Sequence, residues 1–305
     1  MNIIRMTGGL GNQMFQYALY LKLKALGKDV KMDDITEYEG RDARPIMLWV
    51  FGIDYPRATQ EEIDEITDGF LKLTHRVRRK LFGRKSLEYT EKDCNFDEEI
   101  LIKEPAYFTG YFQSEKYFKD IETEIRRAFS FSDKMWEGLP AELVEKIKGY
   151  QGQIDKKDAV SVHIRRGDYL DNVEAYGNIC TEAYYHSAID YMKSKMSNAS
   201  FFVFSNEPEW TKNWIQGQFD ESFDFTVIEG ADEVTGYLDL YLMSRCKHHI
   251  LANSSFSWWG AWLNEDSEKL VIAPDKWFGN QECRDIYTEE MIRISPKGEV
   301  KEQKE

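Results

Sequence analysis

From Asp158 to Ala273, short apolar runs rich in β-branched and aromatic residues alternate with helical patterns, and this alternation restricts the chain more than any other feature. The runs are Ala159 to Ile164, Ser200 to Phe204, Phe223 to Ile228, His249 to Ala252 and Lys269 to Ala273. Between them, Thr181 caps a helix to about Met196 with an apolar stripe of Tyr184, Ala188, Tyr191 and Met192. Pro208 suits the first turn of the next helix, where its missing N–H is no loss, and Val234 to Cys246 reads as another. Such a pattern predicts α/β architecture with a doubly wound parallel sheet. Ligands of such sheets bind beyond the carboxyl ends of the strands.

The central run, AVSVHIRRGDYL from Ala159, delivers Arg165 and Arg166 to that edge. A period of two puts His163 and Arg165 on one face and Arg166 on the other. Guanidinium groups grip phosphate with a planar fork, so this stretch reads either as a diphosphate site or as an Arg-Gly-Asp surface turn with an internal ion pair.

The chain starts the same way. MNIIRM is a brief strand, Thr7 to Gln13 a glycine loop, and Met14 to Leu26 a helix, which aims backbone N–H groups at an anion or simply makes a tight turn. It is not a P-loop, because no Lys-Ser/Thr follows the last glycine, and Met14 stands where a dinucleotide fingerprint needs its third glycine. A second strand, Asp29 to Asp34, ends in two carboxylates that lack the further ligands of a metal site. Gln60 to Phe82 reads as one helix whose basic run, His75 to Lys80, is a solvated face. Tyr107 to Ser114 is an aromatic strand and glycine turn whose rings pack or hold a sugar. Gly149 to Asp158 is the most linker-like passage, which sets the domains at 1–152 and 153–305. The tail from Gly298 is expected to fray.

Composition narrows the function classes. With 40 basic and 54 acidic residues the net charge is −14, which argues against non-specific binding to nucleic acid or anionic lipid. Cys94, Cys180, Cys246 and Cys283 form no C-x-x-C, so reduced thiols are the simpler reading. No signal segment or long apolar run is present. Aromatics at 14% suit a carbohydrate-handling protein.

Taken together, GGLGNQMFQYA, GYFQSEKYF, HIRRGDY, SNEPEW and NSSFSWWGAWL resemble the α-1,2-fucosyltransferases, an inverting family. The match runs from Gly8 to near Trp277. HxRRxD alone is shared with α-1,6- and protein O-fucosyltransferases, whereas the full ordered set is specific. The resemblance implies a GT-B type fold, two Rossmann-like domains facing across a cleft, with residues 1–152 on the acceptor side and 153–305 binding GDP-fucose. It implies transfer of L-fucose to the 2-hydroxyl of a terminal galactose, with no cofactor and no metal. Arg165 corresponds to the arginine that contacts the donor diphosphate, with His163 beside it. Gly9, Gly11, Asn12 and Gln13 reach the same phosphates, and Asn253, Ser254, Ser255 and Ser257 support them. Asn206 and Glu207 are the candidates for guanine and ribose.

The acceptor hydroxyl needs a base. Asp168 is the first candidate, with the alternative that it only orients an arginine; Glu174 and Glu182 are reserves. The implied partners are a nucleotide-sugar donor and a galactoside acceptor shaped by loops such as Glu37 to Leu48. The implied place is a bacterial cytoplasm, with peripheral membrane contact through a lipid-linked acceptor. Rival readings are a fucosyltransferase of another linkage, a carbohydrate or nucleotide-sugar binding protein without turnover, and an NAD-dependent oxidoreductase, which Met14 disfavours.

Overall fold

The first four-residue strand and the sixteen-residue helix after it set the pattern for the whole chain. The computed structural model describes residues 1–38, 44–167, 172–220 and 223–301, and divides into two compact units, Met1–Ser130 and Phe131–Glu305.

In the N-terminal unit β1 (Asn2–Arg5), α1 (Leu10–Ala25), β2 (Val30–Asp33), α2 (Gln60–Thr67), α3 (Leu73–Phe82), β3 (Glu88–Thr90), α4 (Glu98–Ile102), β4 (Ala106–Thr109) and α5 (Glu122–Ala128) follow in order. The strands form a parallel sheet in the order β2-β1-β4-β3. Ile3 and Tyr107 face α2, where they pack with Ile63 and Ile66. The single helix expected over Gln60–Phe82 is two. Asp68 takes φ 55° and ends α2, and its carboxylate holds the Lys85 backbone N–H at 2.9 Å and pairs with Arg78. Cys94 is disulfide-bonded, not the reduced thiol expected.

The C-terminal unit contains α6 (Ala141–Ile154), β5 (Asp158–Ile164), α7 (Glu182–Lys195), β6 (Ala199–Ser205), α8 (Pro208–Gln218), β7 (Phe225–Val227), α9 (Tyr237–Arg245), β8 (His248–Ile250), α10 (Ser255–Leu263), β9 (Val271–Pro274), β10 (Met291–Ile294) and β11 (Val300–Lys301). Its sheet runs β11-β10-β9-β8-β5-β6-β7, parallel except for the β10–β11 pair. The α/β architecture with two parallel sheets expected of a GT-B type chain is therefore present. Val160, Val162 and Ile164 of β5 pack against Tyr185, Ile189 and Met192 of α7 and Trp214 of α8, so strand alternation sends His163 to the opposite face. Cys180 and Cys246 are free thiols, as expected; Cys283 is disulfide-bonded.

Two boundaries differ from expectation. Residues read as a linker continue α6 to Ile154, because Tyr241 and Arg245 of α9 bind Gln151 (3.0 Å) and Asp155 (2.8 Å). The helix lies within the second compact unit, Phe131–Glu305. Of the tail expected to fray, Gly298 turns at φ 83° and Val300–Lys301 pair as β11 with β10, while residues 302–305 lie outside the described residues.

Candidate active site

Chain order places the crevice. After β5 the chain adds β6 and β7 on one side, then crosses to build β8, β9 and β10 on the other, so β5 and β8 form the topological switch point of the sheet. Their ladder ends at the Val162–Ile250 pair. Two consecutive tyrosines of α7 secure carbonyls just beyond it: Tyr185 donates to His163 (2.9 Å) and Tyr184 to Leu251 (2.6 Å). Neither role is visible in local sequence, where Tyr184 reads as part of the apolar stripe and Tyr185 carries no signal. Tyr185→Phe is expected to lower stability by about 1–3 kcal/mol, since it leaves a buried carbonyl unsatisfied. Urea unfolding checks this.

His163 and Arg165 enter the switch point from β5, and the N-terminus of α10 enters from β8. The His163 ring lies 6.0 Å from that of Phe256 in the first turn of α10. His163 is 6% exposed, and its Nδ1 has no hydrogen-bond partner among the described residues. Burial, and secondly the nearby Arg165 charge, depress its pKa from 6.5 to about 3. A neutral imidazole therefore stands beside a fixed cation.

A stability consequence follows from that depressed pKa. The folded state binds fewer protons at His163 than the unfolded state between about pH 6.5 and 3, so this stability is intact above 6.5 and is lost as pH falls. Each pH unit in that window costs up to about 1.4 kcal/mol. His163→Gln should flatten this acid limb in unfolding curves at graded pH, while His249, also shifted down by burial, keeps its own share.

Arg166 points the other way and is clamped. Its guanidinium carbon lies 3.5 Å from the Trp210 ring centroid, and its Nε donates to Glu207 at 3.0 Å. Asn206 accepts from the Arg166 N–H (2.9 Å) and donates to its carbonyl (3.1 Å). Asn206 and Glu207, expected at guanine and ribose, thus brace the turn that presents Arg165. Gly167 completes that turn at φ 62°, where a Cβ would meet Asn206 Nδ2 at 2.9 Å.

On the β8 side, Ser254 caps α10 by accepting from the Phe256 N–H at 3.3 Å. Asn253 and Ser257 are buried braces: Asn253 donates to Trp277 (3.1 Å) and Ser257 to Ser254 (3.3 Å). Ser255, in the first turn, is half-buried. Trp259 packs edge-on against both Trp258 and Trp262 further along the same helix. What this stretch offers an anion is the amide end of a nine-residue helix.

Asp239, in the first turn of α9, did not stand out in the sequence because an acidic residue there reads as an ordinary complement to the helix dipole. Burial pushes its carboxyl up to about 7, and its Oδ1 has no partner among the described residues. One turn on, Met243 packs against Gly260 of α10, where a Cβ would meet it at 2.9 Å.

The glycine loop of the N-terminal unit is built by its amides. Gly8 takes φ 75°, and Gly9 is the N-cap of α1 in extended conformation. Gln13 is fully buried; it donates to Gly8 (3.0 Å) and Pro45 (3.0 Å) and accepts from the Met47 N–H (3.0 Å). Asn12 accepts from Gln113 at 2.8 Å, and Gly11 is buried inside α1. Asn12 and Gln13, expected at phosphate, thus act here as staples of the loop. Asp33 is a staple too, accepting from Ile35, Thr36 and Tyr107. Tyr107 and Phe112 are buried core rings.

Asp168 lies outside the described residues. Of the reserves, Glu174 is exposed and Glu182 opens α7, also exposed. Among the described residues no group of three His, Cys, Asp or Glu could hold a metal ion.

A cation, a neutral imidazole and a helix N-terminus at one switch point are suited to a phosphorylated ligand. The family model for glycosyl transferase family 11 matches residues 88–295. An alpha-1,2-colitosyltransferase of Escherichia coli is 34% identical over 96% of this chain and 98% of its own. The O-antigen biosynthesis glycosyltransferase WbnK of Escherichia coli is 30% identical over 92% and 96%. Human galactoside alpha-(1,2)-fucosyltransferase 1 is 30% identical over 84% of this chain and 64% of its own length. The chain belongs to glycosyl transferase family 11, the family of the α-1,2-fucosyltransferases, and is a glycosyltransferase.

Proposed function

We propose that the protein transfers L-fucose from GDP-β-L-fucose to the 2-hydroxyl of a terminal galactose, with inversion and without a divalent metal. The observation that carries this is the convergence of Arg165 and the amide end of α10 at the β5–β8 switch point. As the sugar departs, negative charge builds on the diphosphate; a guanidinium fork and preorganised amide donors stabilise that charge more than they stabilise the ground state. His163, held neutral, is a poor general base and adds to the site as a dipole. Asp168 remains the proposed base for the acceptor hydroxyl.

The relative named a colitosyltransferase makes colitose the competing donor sugar. The experiment is incubation with GDP-fucose, GDP-colitose or GDP-mannose plus a β-galactoside in EDTA, with linkage analysis of the product. Fucosylation at O2 of galactose supports the reading. Colitosyl product alone would replace the donor, and donor binding without release of free GDP would mean a binding protein.

A further inference from the structure

On α3 the usual arrangement of an amphipathic helix is inverted. Its polar side faces the protein: Arg78 pairs with Asp68, and Arg79 donates to the carbonyls of Asp68 (2.8 Å) and Phe70 (2.9 Å). The apolar side faces out, and no residue of the helix is buried. Leu73, Val77 and Leu81 recur every four residues as one stripe and are 74%, 49% and 69% exposed. Leu71 and Phe82, at either end, are 85% and 75% exposed. Single exposed leucines are ordinary; a stripe of them on one helix is not.

Charge identifies the occupant. From Gly69 to Leu87 there are seven Lys or Arg and no Asp or Glu, in a chain whose net charge is −14. Lys72, Arg76, Lys80 and Lys85 are exposed and have no carboxylate partner among the described residues. A second copy docking through the same face would bring these charges against themselves. An apolar stripe bordered by lysine and arginine matches a bilayer surface, with hydrocarbon at one depth and anionic phosphate just above it. Ten residues are too few to cross a membrane, so the helix would lie in the interface.

We propose that α3 docks this protein on anionic phospholipid bilayers, with Leu73, Val77 and Leu81 in the headgroup boundary and the flanking lysines and arginines on lipid phosphates. This contact is separate from the sugar chemistry: vesicle binding is read without donor or acceptor, and transfer serves only as a control on the variants. The purified protein is floated with vesicles of phosphatidylcholine alone or mixed with phosphatidylglycerol. Binding to the mixed vesicles that falls with added salt is expected. Each Lys or Arg near such a surface contributes about fivefold, so Lys72→Gln/Arg76→Gln/Lys80→Gln should weaken binding about a hundredfold. Leu73→Ser/Leu81→Ser should abolish flotation, and circular dichroism and transfer to a small soluble acceptor should be unchanged in both variants. No flotation, equal flotation on neutral vesicles, or flotation indifferent to the substitutions would overturn the proposal. So would a dimer that the serine variant disperses, which would assign the face to a second copy.

Discussion

Arg165→Ala is expected to reduce transfer by about 10²–10³, the usual effect of removing one donor from a developing oxyanion. The melting temperature should barely move. Arg165 follows the last residue of β5 and is only half-buried, while the core beneath it is made by Val160, Val162 and Ile164. Arg166 should behave in the opposite way, since its contacts with Glu207, Asn206 and Trp210 hold the turn. Arg165→Lys should recover part of the activity, because a point charge replaces a two-pronged fork. Parallel loss of melting temperature and activity in Arg165→Ala would make the residue structural.

Gln13→Leu should have the largest effect on stability. The amide bridges Gly8, Pro45 and Met47, and a leucine of similar size leaves the buried Met47 N–H unsatisfied and takes a donor from two partly buried carbonyls, of which Gly8 keeps the Tyr38 hydroxyl. At about 1–3 kcal/mol for each unsatisfied group, a loss of about 3 kcal/mol or more is expected, read from thermal or urea unfolding. The residue had been expected at a phosphate. Full stability combined with weakened GDP binding would instead make Gln13 a phosphate ligand.

These two residues also show what can be read from sequence. β5, the Thr181 cap and Pro208 in the first turn of α8 depend on near neighbours, and the chain displays them. The position of Arg165 just past the carboxyl end of β5 was legible from strand length and sheet polarity. The staples were not: Gln13 acts on residues 32 and 34 positions away, and Asn206 on Arg166 40 away. A polar residue in a motif looks the same whether it meets a ligand or a backbone carbonyl. The break between α2 and α3 and the β10–β11 hairpin were missed for a related reason. Asp68 gains its partners from Arg78 and Lys85, and β11 forms against β10 after Gly298 turns the chain.

The proposed transfer depends on phosphate being met by protein groups at the β5–β8 switch point. Calorimetric titration with GDP in EDTA tests that most directly. Binding should persist in chelator and weaken more than about tenfold in Arg165→Ala, as expected when a charge-assisted bond is lost. Binding that vanishes in chelator and returns with magnesium, or that is indifferent to Arg165, would contradict it.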